Sequence, residues 1–391
     1  MTKEFVITGI GIVSAAGIGK DEFWDAAING KSGIKEISHF DTSRYKSHLG
    51  GEIRDFDLDA IFSDRRFRRV ANISKYSLAS SKLAVDDAGL DSNKWDGIKV
   101  GLVVGVTHGA INYTREFHAA MVKDGPAAVS PMLFSDSVLN APAGNVSIAF
   151  NIKGAAHTII GGMPTGLDAI AYAIKIMQSN NLDMCIAGGT EEIDSIVFDS
   201  YARLRLLSPN SGKPEGIKPF GIDRNGFVVG EGACMLVLEE KKAAIERMAR
   251  IYAGIHSVDT ALHINPAQSN KTFRDIDTEA TYIAAGANGT SKDNIEAKVL
   301  QAVSAKRPFI GNIKPITGEC FAAGSAMQTA LAAMVIHKGI IPPSRVGYDL
   351  IPEIDWARFN PYAENAEVET AMVSSIGLEG EGSFLVLKKV N

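Results

Sequence analysis

The stretch from His157 to Glu192, HTIIGGMPTGLDAIAYAIKIMQSNNLDMCIAGGTEE, leaves the chain few ways to fold. It opens with a short apolar run, His157 to Ile160, followed by Gly161 and Gly162. Leu167, Ile170, Ala171, Ile174 and Met177 then recur at three- and four-residue spacing, which predicts a helix buried along that face. A second apolar run, Met184 to Ala187, ends in another glycine pair. Strand, tight turn, buried helix and strand make an elbow that presents one side chain, Met163, at the N-terminus of a helix. Backbone N–H groups and the helix dipole stabilise negative charge at such a place, and a cysteine there would be activated. Methionine has no ionisable proton, and its thioether accepts no acyl group. The elbow has the architecture of a nucleophilic site without the nucleophile.

The rest of the chain alternates strand and helix patterns. Phe5 to Ile10 predicts a strand entering a glycine loop. Gly9-Ile10-Gly11 lacks the third glycine of a dinucleotide fingerprint, and Gly19-Lys20-Asp21 lacks the flanking residues of a P-loop. A short helix is expected over Asp21 to Asn29. A long one is expected over Asp64 to Ala88, with a basic start at Arg65, Arg66, Arg68 and Arg69. Four arginines in five residues make either a docking patch for an acidic partner or a solvated helix face. Lys99 to Val106 is nearly continuously apolar, as in a strand covered on both faces. Ala110, Tyr113 and Phe117 share one face of a helix predicted over Ile111 to Met121 and line either core or a pocket. Pro131 to Phe150 reads as helix-like, with a proline at 142.

After a glycine-punctuated loop, Ala233 to Leu238 reads as a strand. Strands at Tyr282 to Ala285 and Pro308 to Ile313 then alternate with helices at Ile295 to Val303 and Gly324 to Lys338. Two paired strands, Glu367 to Ser375 and Ser383 to Lys388, end the chain. This order predicts two similar α/β halves, residues 1–245 and 246–391, packed as one body.

Composition narrows the function. A net charge of −5 argues against nucleic acid as a partner. Cys185, Cys234 and Cys320 lie far apart and suggest neither a disulfide framework nor a metal site. No apolar run approaches the roughly 18–20 residues of a membrane span. The N-terminal apolar stretch is broken by glycines and hydroxyl residues, unlike a signal peptide. A cytoplasmic location, with no membrane, metal or cofactor, is expected.

Several motifs resemble those of the β-ketoacyl synthases of fatty-acid and polyketide assembly. They are Val6-Ile7-Thr8-Gly9-Ile10-Gly11, Gly166-Leu167-Asp168-Ala169, Ala187-Gly188-Gly189-Thr190-Glu191, Pro219-Phe220 and the run Asp223 to Ala233. Asn288-Gly289-Thr290-Ser291 and Lys314-Pro315-Ile316-Thr317-Gly318 complete the set. The resemblance covers nearly the whole chain. It implies a thiolase-like fold, two pseudo-duplicated βαβαβαββ halves forming an αβαβα five-layer sandwich.

Members of that family use a Cys-His-His set. The cysteine carries the acyl chain as a thioester, and the histidines stabilise the enolate formed on decarboxylation of malonyl. Motif against motif, the cysteine position is Met163 and the histidine positions are Asn288 and Glu319, while the accompanying lysine remains as Lys314. No catalytic residue is left. Asn288 can donate a hydrogen bond but move no proton, and an ionised Glu319 would only accept. A Lys314–Glu319 salt bridge is expected to fill the site. The C-terminal glycine loop departs as well: Gly377-Leu378-Glu379-Gly380 stands where the family carries Gly-Phe-Gly-Gly.

The pattern is similar to one subclass, the chain length factor or ketosynthase β-subunit of type II polyketide synthases. The resemblance implies a heterodimer with an active ketosynthase α-subunit, and an acyl carrier protein as further partner. Arg115-Glu116-Phe117 matches the subclass pattern and places tunnel gates at Ala110, Tyr113 and Phe117. Carrier-protein docking would fall to Arg65, Arg66, Arg68 and Arg69. The alternative is an enzyme of altered acyl chemistry, a malonyl decarboxylase or acyl transferase with Glu319 as base. His157 and His263 are the nearest histidines by sequence, and both read as structural or loop residues.

Overall fold

A computed structural model of the chain describes residues 3–95, 98–179, 182–209, 213–264, 279–304, 306–344 and 347–390. Ten strands carry the main sheet: β1 (Phe5–Ser14), β2 (Val100–Val106), β3 (Ala156–Ile160), β4 (Met184–Glu191), β5 (Gly232–Glu240), β6 (Ala253–Ala261), β7 (Tyr282–Ala284), β8 (Phe309–Gly311), β9 (Thr370–Ile376) and β10 (Gly382–Lys388). With Gly17–Ile18 paired onto β1, they form one eleven-stranded sheet in the order β8-β7-β9-β10-β6-β1-β5-β4-β2-β3.

The sheet consists of two runs with the same plan. Taken by rank within each run, both orders are third, second, fourth, fifth, first. In each, the second strand pairs in parallel with the third and fourth, and the fifth is antiparallel to the fourth and first. The runs meet where β1 pairs with β6 over Phe5 to Ile7.

Six helices matter for the site: α1 (Asn72–Asp87), α2 (Ile111–Asp124), α3 (Thr165–Ser179), α4 (Ser195–Arg203), α5 (Lys292–Val303) and α6 (Phe321–Lys338). The periodicity of β5 shows how the layers arise. Leu236 and Leu238 join the core that holds α3 and α6, whereas Met235 and Val237 point to the opposite face, against α1. In β10, Leu385 and Leu387 face the central core while Phe384 and Val386 pack with Val299 and Leu300 of α5. Helices α3 and α6 therefore lie between the two runs, with α1 and α5 outside. This is the five-layer αβαβα thiolase-like architecture. The strands are apolar on both faces because both faces are covered.

Helix α6 is buried from Phe321 to Ile336 and so shows no amphipathic stripe. It meets α3 where Gly166 faces Ala322 and Ser325. A Cβ on Gly166 would overlap the Ala322 carbonyl, and Leu167 N donates to Ser325 Oγ at 3.3 Å.

Some expectations need correction. The helix expected from Asp64 to Ala88 begins only at Asn72. Asp64 caps a separate 3₁₀ turn, Arg65–Phe67, by accepting from Arg66 N at 2.9 Å. The four arginines precede α1 rather than lie on it. Carboxylates distant in sequence set the true start: Asp136 accepts from Ala71 N, and Glu192 accepts from Ile73 N at 3.1 Å. The stretch Pro131 to Phe150 forms two helices, Pro131–Ser137 and Ala141–Ala149, broken near Val138 and Asn140.

Candidate functional site

The residues with chemical side chains collect at the carboxyl ends of parallel strands, the usual place for a site in such sheets. Thr107 and His108 follow β2, Met163 follows β3, Glu192 follows β4, Asn288 follows β7, and Lys314 and Glu319 follow β8. The threonine holds the crevice together. Its Oγ1 donates to Gly162 O and accepts from Ala322 N, each at 3.3 Å, linking the elbow to the start of α6.

Met163 sits in the turn before α3 and is 2% exposed. Asn288 lies beside it. Its Nδ2 donates to Met163 Sδ at 3.4 Å and to Glu319 Oε2 at 3.0 Å, while its Oδ1 accepts from the Thr290 hydroxyl at 2.8 Å. Lys314 donates from Nζ to the same Glu319 oxygen at 2.7 Å and to the Gly286 carbonyl. The other oxygen, Oε1, accepts from Phe321 N at 3.0 Å. Four positions from distant parts of the sequence thus form one buried chain, Lys314 to Glu319 to Asn288 to Met163, in which each polar group has a partner inside the protein. Such closure removes the desolvation penalty of an unpaired buried group.

Carboxylates support this chain from behind. Asp293 accepts from Asn288 N, Gly289 N and Phe220 N at 2.8 to 3.1 Å. Glu296 accepts from Gly286 N at 2.8 Å and from the Ser374 hydroxyl. Burial pushes the Glu296 carboxyl up to about 7, against the pull of Ser374, Gly286 and Lys314. Near the surface, the Glu381 carboxylate fills the space between the elbow and the C-terminal loop. A Cβ on Gly162 or Gly377 would overlap its carboxylate end, so a side chain at either position would make Glu381 move.

An aromatic group lines the outer wall. Phe321 stacks on Tyr201 with centroids 5.2 Å apart and planes at 19°, and it meets Phe227 edge-on at 6.0 Å. The His108 ring stands perpendicular to Phe321 at 4.6 Å. Its Nε2 is 3.0 Å from the Tyr201 hydroxyl, and its Nδ1 is 3.4 Å from Glu191 Oε1. Burial, with help from Glu191 and Glu319, raises the Tyr201 phenol pKa and keeps it neutral. Sequence reading missed His108, Tyr201 and Phe321. A histidine two residues past a fully apolar strand was the available signal for the first. His157 is on β3 with its ring against Tyr172 at 5.3 Å, and His263 is exposed beyond β6.

The remaining sequence candidates lie elsewhere. Ala110 is buried just before α2, but no residue within α2 is. The Tyr113 hydroxyl donates to Arg69 O at 2.7 Å, and the Phe117 ring lies against Phe134 at 5.6 Å. The arginines divide into two kinds. Arg66 pairs with Asp64 at 2.6 Å and Arg68 with Asp59 at 3.0 Å; Arg65 and Arg69 have no ion-pair partner among the described residues. Among the described residues no group of His, Cys, Asp and Glu is arranged to hold a metal ion, and no helix is long and apolar enough to cross a membrane. All three cysteines are buried and unpaired.

Comparison with known proteins agrees with this architecture. The family model of the β-ketoacyl synthase N-terminal domain matches residues 2–244, and that of the C-terminal domain matches residues 267–347. The 3-oxoacyl-[acyl-carrier-protein] synthase 2 of Coxiella burnetii is 30% identical, over 99% of each chain. Its Staphylococcus aureus counterpart is also 30% identical, over 99% of this chain and 98% of that one. Among solved structures, the ishigamide ketosynthase/chain length factor superposes with a TM-score of 0.91 at 24% identity, each chain fully covered. A type II polyketide synthase acyl carrier protein complexed with its hexaketide-bound ketosynthase gives 0.87 at 23% identity, again with full coverage. By its matched domains, its fold and these relatives, the chain belongs to the β-ketoacyl synthase family.

Proposed function

We propose that the chain is a non-catalytic ketosynthase-like subunit of the chain length factor type, acting in the cytoplasm. It pairs with an active Cys-His-His ketosynthase, shares an acyl carrier protein with it, and shapes the tunnel that sets polyketide length. The observation that carries this reading is the closed chain of Lys314, Glu319, Asn288 and Met163. It leaves no thiol and no imidazole at the three motif positions, and no free acceptor poised to take a proton.

Surface features support a partner. Strand β3 is the edge of its run, and Ile160 at its end is 58% exposed. The neighbouring helices expose Phe134 and Ile148. A free edge strand flanked by exposed apolar side chains calls for cover.

The identity with named synthases favours a second reading, altered acyl chemistry with Glu319 as base. It is the weaker one, because Glu319 is fully buried and accepts from Lys314, Asn288 and Phe321. Co-expression with a Cys-His-His ketosynthase of the same organism separates the two. The subunit reading expects an equimolar complex whose condensation of malonyl units needs both chains. A purified chain that decarboxylates or condenses malonyl thioesters alone would overturn it, as would a homodimer indifferent to the ketosynthase.

A further inference from the structure

The loop between β9 and β10, residues 377–381, lies against the elbow. Leu378 is partly buried against the apolar cluster that holds Met163. Gly377 N donates to Glu381 O at 2.8 Å and Gly380 N to Gly377 O at 3.2 Å, so the loop is a tight turn closed on itself. Ile264 N steadies it by donating to Gly380 O at 2.8 Å. The Ser383 hydroxyl, at the start of β10, donates to Asp168 in the first turn of α3. Within this frame the Glu381 side chain turns toward the elbow. A Cβ on Gly162 or on Gly377 would overlap Glu381 Oε1, so that oxygen lies against the backbone of both.

The carboxylate has little to balance it. Oε2 accepts from Glu379 N at 3.1 Å, and among the described residues no cation pairs with Glu381. Gly162 immediately precedes Met163 and stands three residues before α3 begins. The N-terminus of a helix favours a negative charge nearby, and here the chain supplies that charge itself. Its field reaches the helix. Burial holds the Asp168 carboxyl above its ordinary range, the Ser383 hydroxyl opposes the rise, and the Glu381 charge adds to it.

We propose that Glu381 is a charge filter at the mouth of the crevice, excluding anionic groups, a malonyl unit among them, from position 163. A carboxylate beside the elbow repels a second anion without any change of shape, whereas a neutral group meets no such penalty. Glu381 therefore sets which charge the crevice tolerates. That role is separate from the loss of thiol and imidazole at the motif positions, and it does not rest on the subunit reading.

The test uses the full-length chain, with any partner that co-purifies, and a thiol placed at the elbow as the probe. Met163→Cys supplies the thiol, and the wild type, whose cysteines are all buried, supplies the blank. Thiolate absorbance is followed against pH. Adding Glu381→Gln, which removes the charge at nearly constant volume, is expected to lower the pKa of the introduced thiol by about one pH unit. It is also expected to raise the rate of alkylation by iodoacetate relative to iodoacetamide about fivefold, because the two reagents differ in charge and hardly in size. Melting temperatures check that the variants are folded, and Glu381→Ala removes the same charge if the glutamine variant is unstable. An introduced thiol that titrates no lower without the Glu381 charge, or an unchanged ratio of the two rates, overturns the proposal.

Discussion

The Nζ of Lys314 lies 2.7 Å from Oε2 of Glu319, and neither side chain is more than 2% exposed. Removing one member of a buried pair strands the other charge, at a cost of about 3–5 kcal/mol, whereas replacing both with apolar groups costs far less. Lys314→Met and Glu319→Leu should therefore each destabilise the protein more than the double variant that combines them. Urea unfolding of the two single variants and the double variant measures this. Additive losses would mean that the two groups do not act as a pair.

The unequal pairing of the arginines predicts unequal roles in docking. Arg66 and Arg68 are already matched by Asp64 and Asp59, whereas Arg65 and Arg69 have no ion-pair partner among the described residues. Arg65→Glu and Arg69→Glu should each weaken carrier-protein binding several-fold, more at low salt than at high salt. Arg66→Glu and Arg68→Glu should weaken it less. Surface plasmon resonance against the acyl carrier protein provides the comparison, and equal effects from all four would place docking elsewhere.

Tyr113 gives the gate reading a sharp control. Its hydroxyl is engaged by the Arg69 carbonyl, so only the ring is available to limit a tunnel. Tyr113→Phe should leave product length unchanged in the assembled complex, whereas Tyr113→Ala and Phe117→Ala should lengthen or scramble it. Mass spectrometry of the products decides. Unaltered lengths in both alanine variants, with the complex intact, would remove these residues from the gate.

Stability should fall as pH rises toward 8. Glu192 accepts from Ile73 N and Asn112 N, joining the first turns of α1 and α2, and burial pushes its carboxyl up to about 8. Burial likewise lifts Glu231 to about 7. A group with a raised pKa contributes stability that is complete below the unfolded value, near 4.5, and is lost as pH passes through the folded value. Melting temperature should decline between pH 5 and 9, and Glu192→Gln should flatten the decline. A wild-type melting temperature that rises across this window, or an unchanged slope in the variant, would contradict the assignment.

The elbow was legible because its signals are local. Glycine pairs, apolar runs and a three- and four-residue period fix strand, turn and helix within 36 residues, and the motif matches located Asn288, Glu319 and Lys314. The start of α1 was not legible. Arginine suits a helix interior, so nothing local announces the break after Phe67. What sets the true start is Asp136 and Glu192, 64 and 120 residues beyond Asn72. His108, Tyr201 and Phe321 escaped notice for a related reason. They meet because the segments that follow β2, β4 and β8 converge on one crevice, and adjacency of that kind leaves no periodic trace.

The close approach of Gly166 to Ala322 and Ser325 has a wider meaning. What the architecture requires along that seam is small residues and backbone; what a reaction requires is the side chains in the loops just before each helix. The two requirements fall on different positions. Mutation can therefore strip the chemistry from such a crevice and leave its framework untouched. Here the motif positions hold an ion pair, Lys314 with Glu319, and a thioether contact, Asn288 with Met163. Glycines and alanines keep the framework of this crevice, and Met163, Asn288, Glu319 and Lys314 fill it.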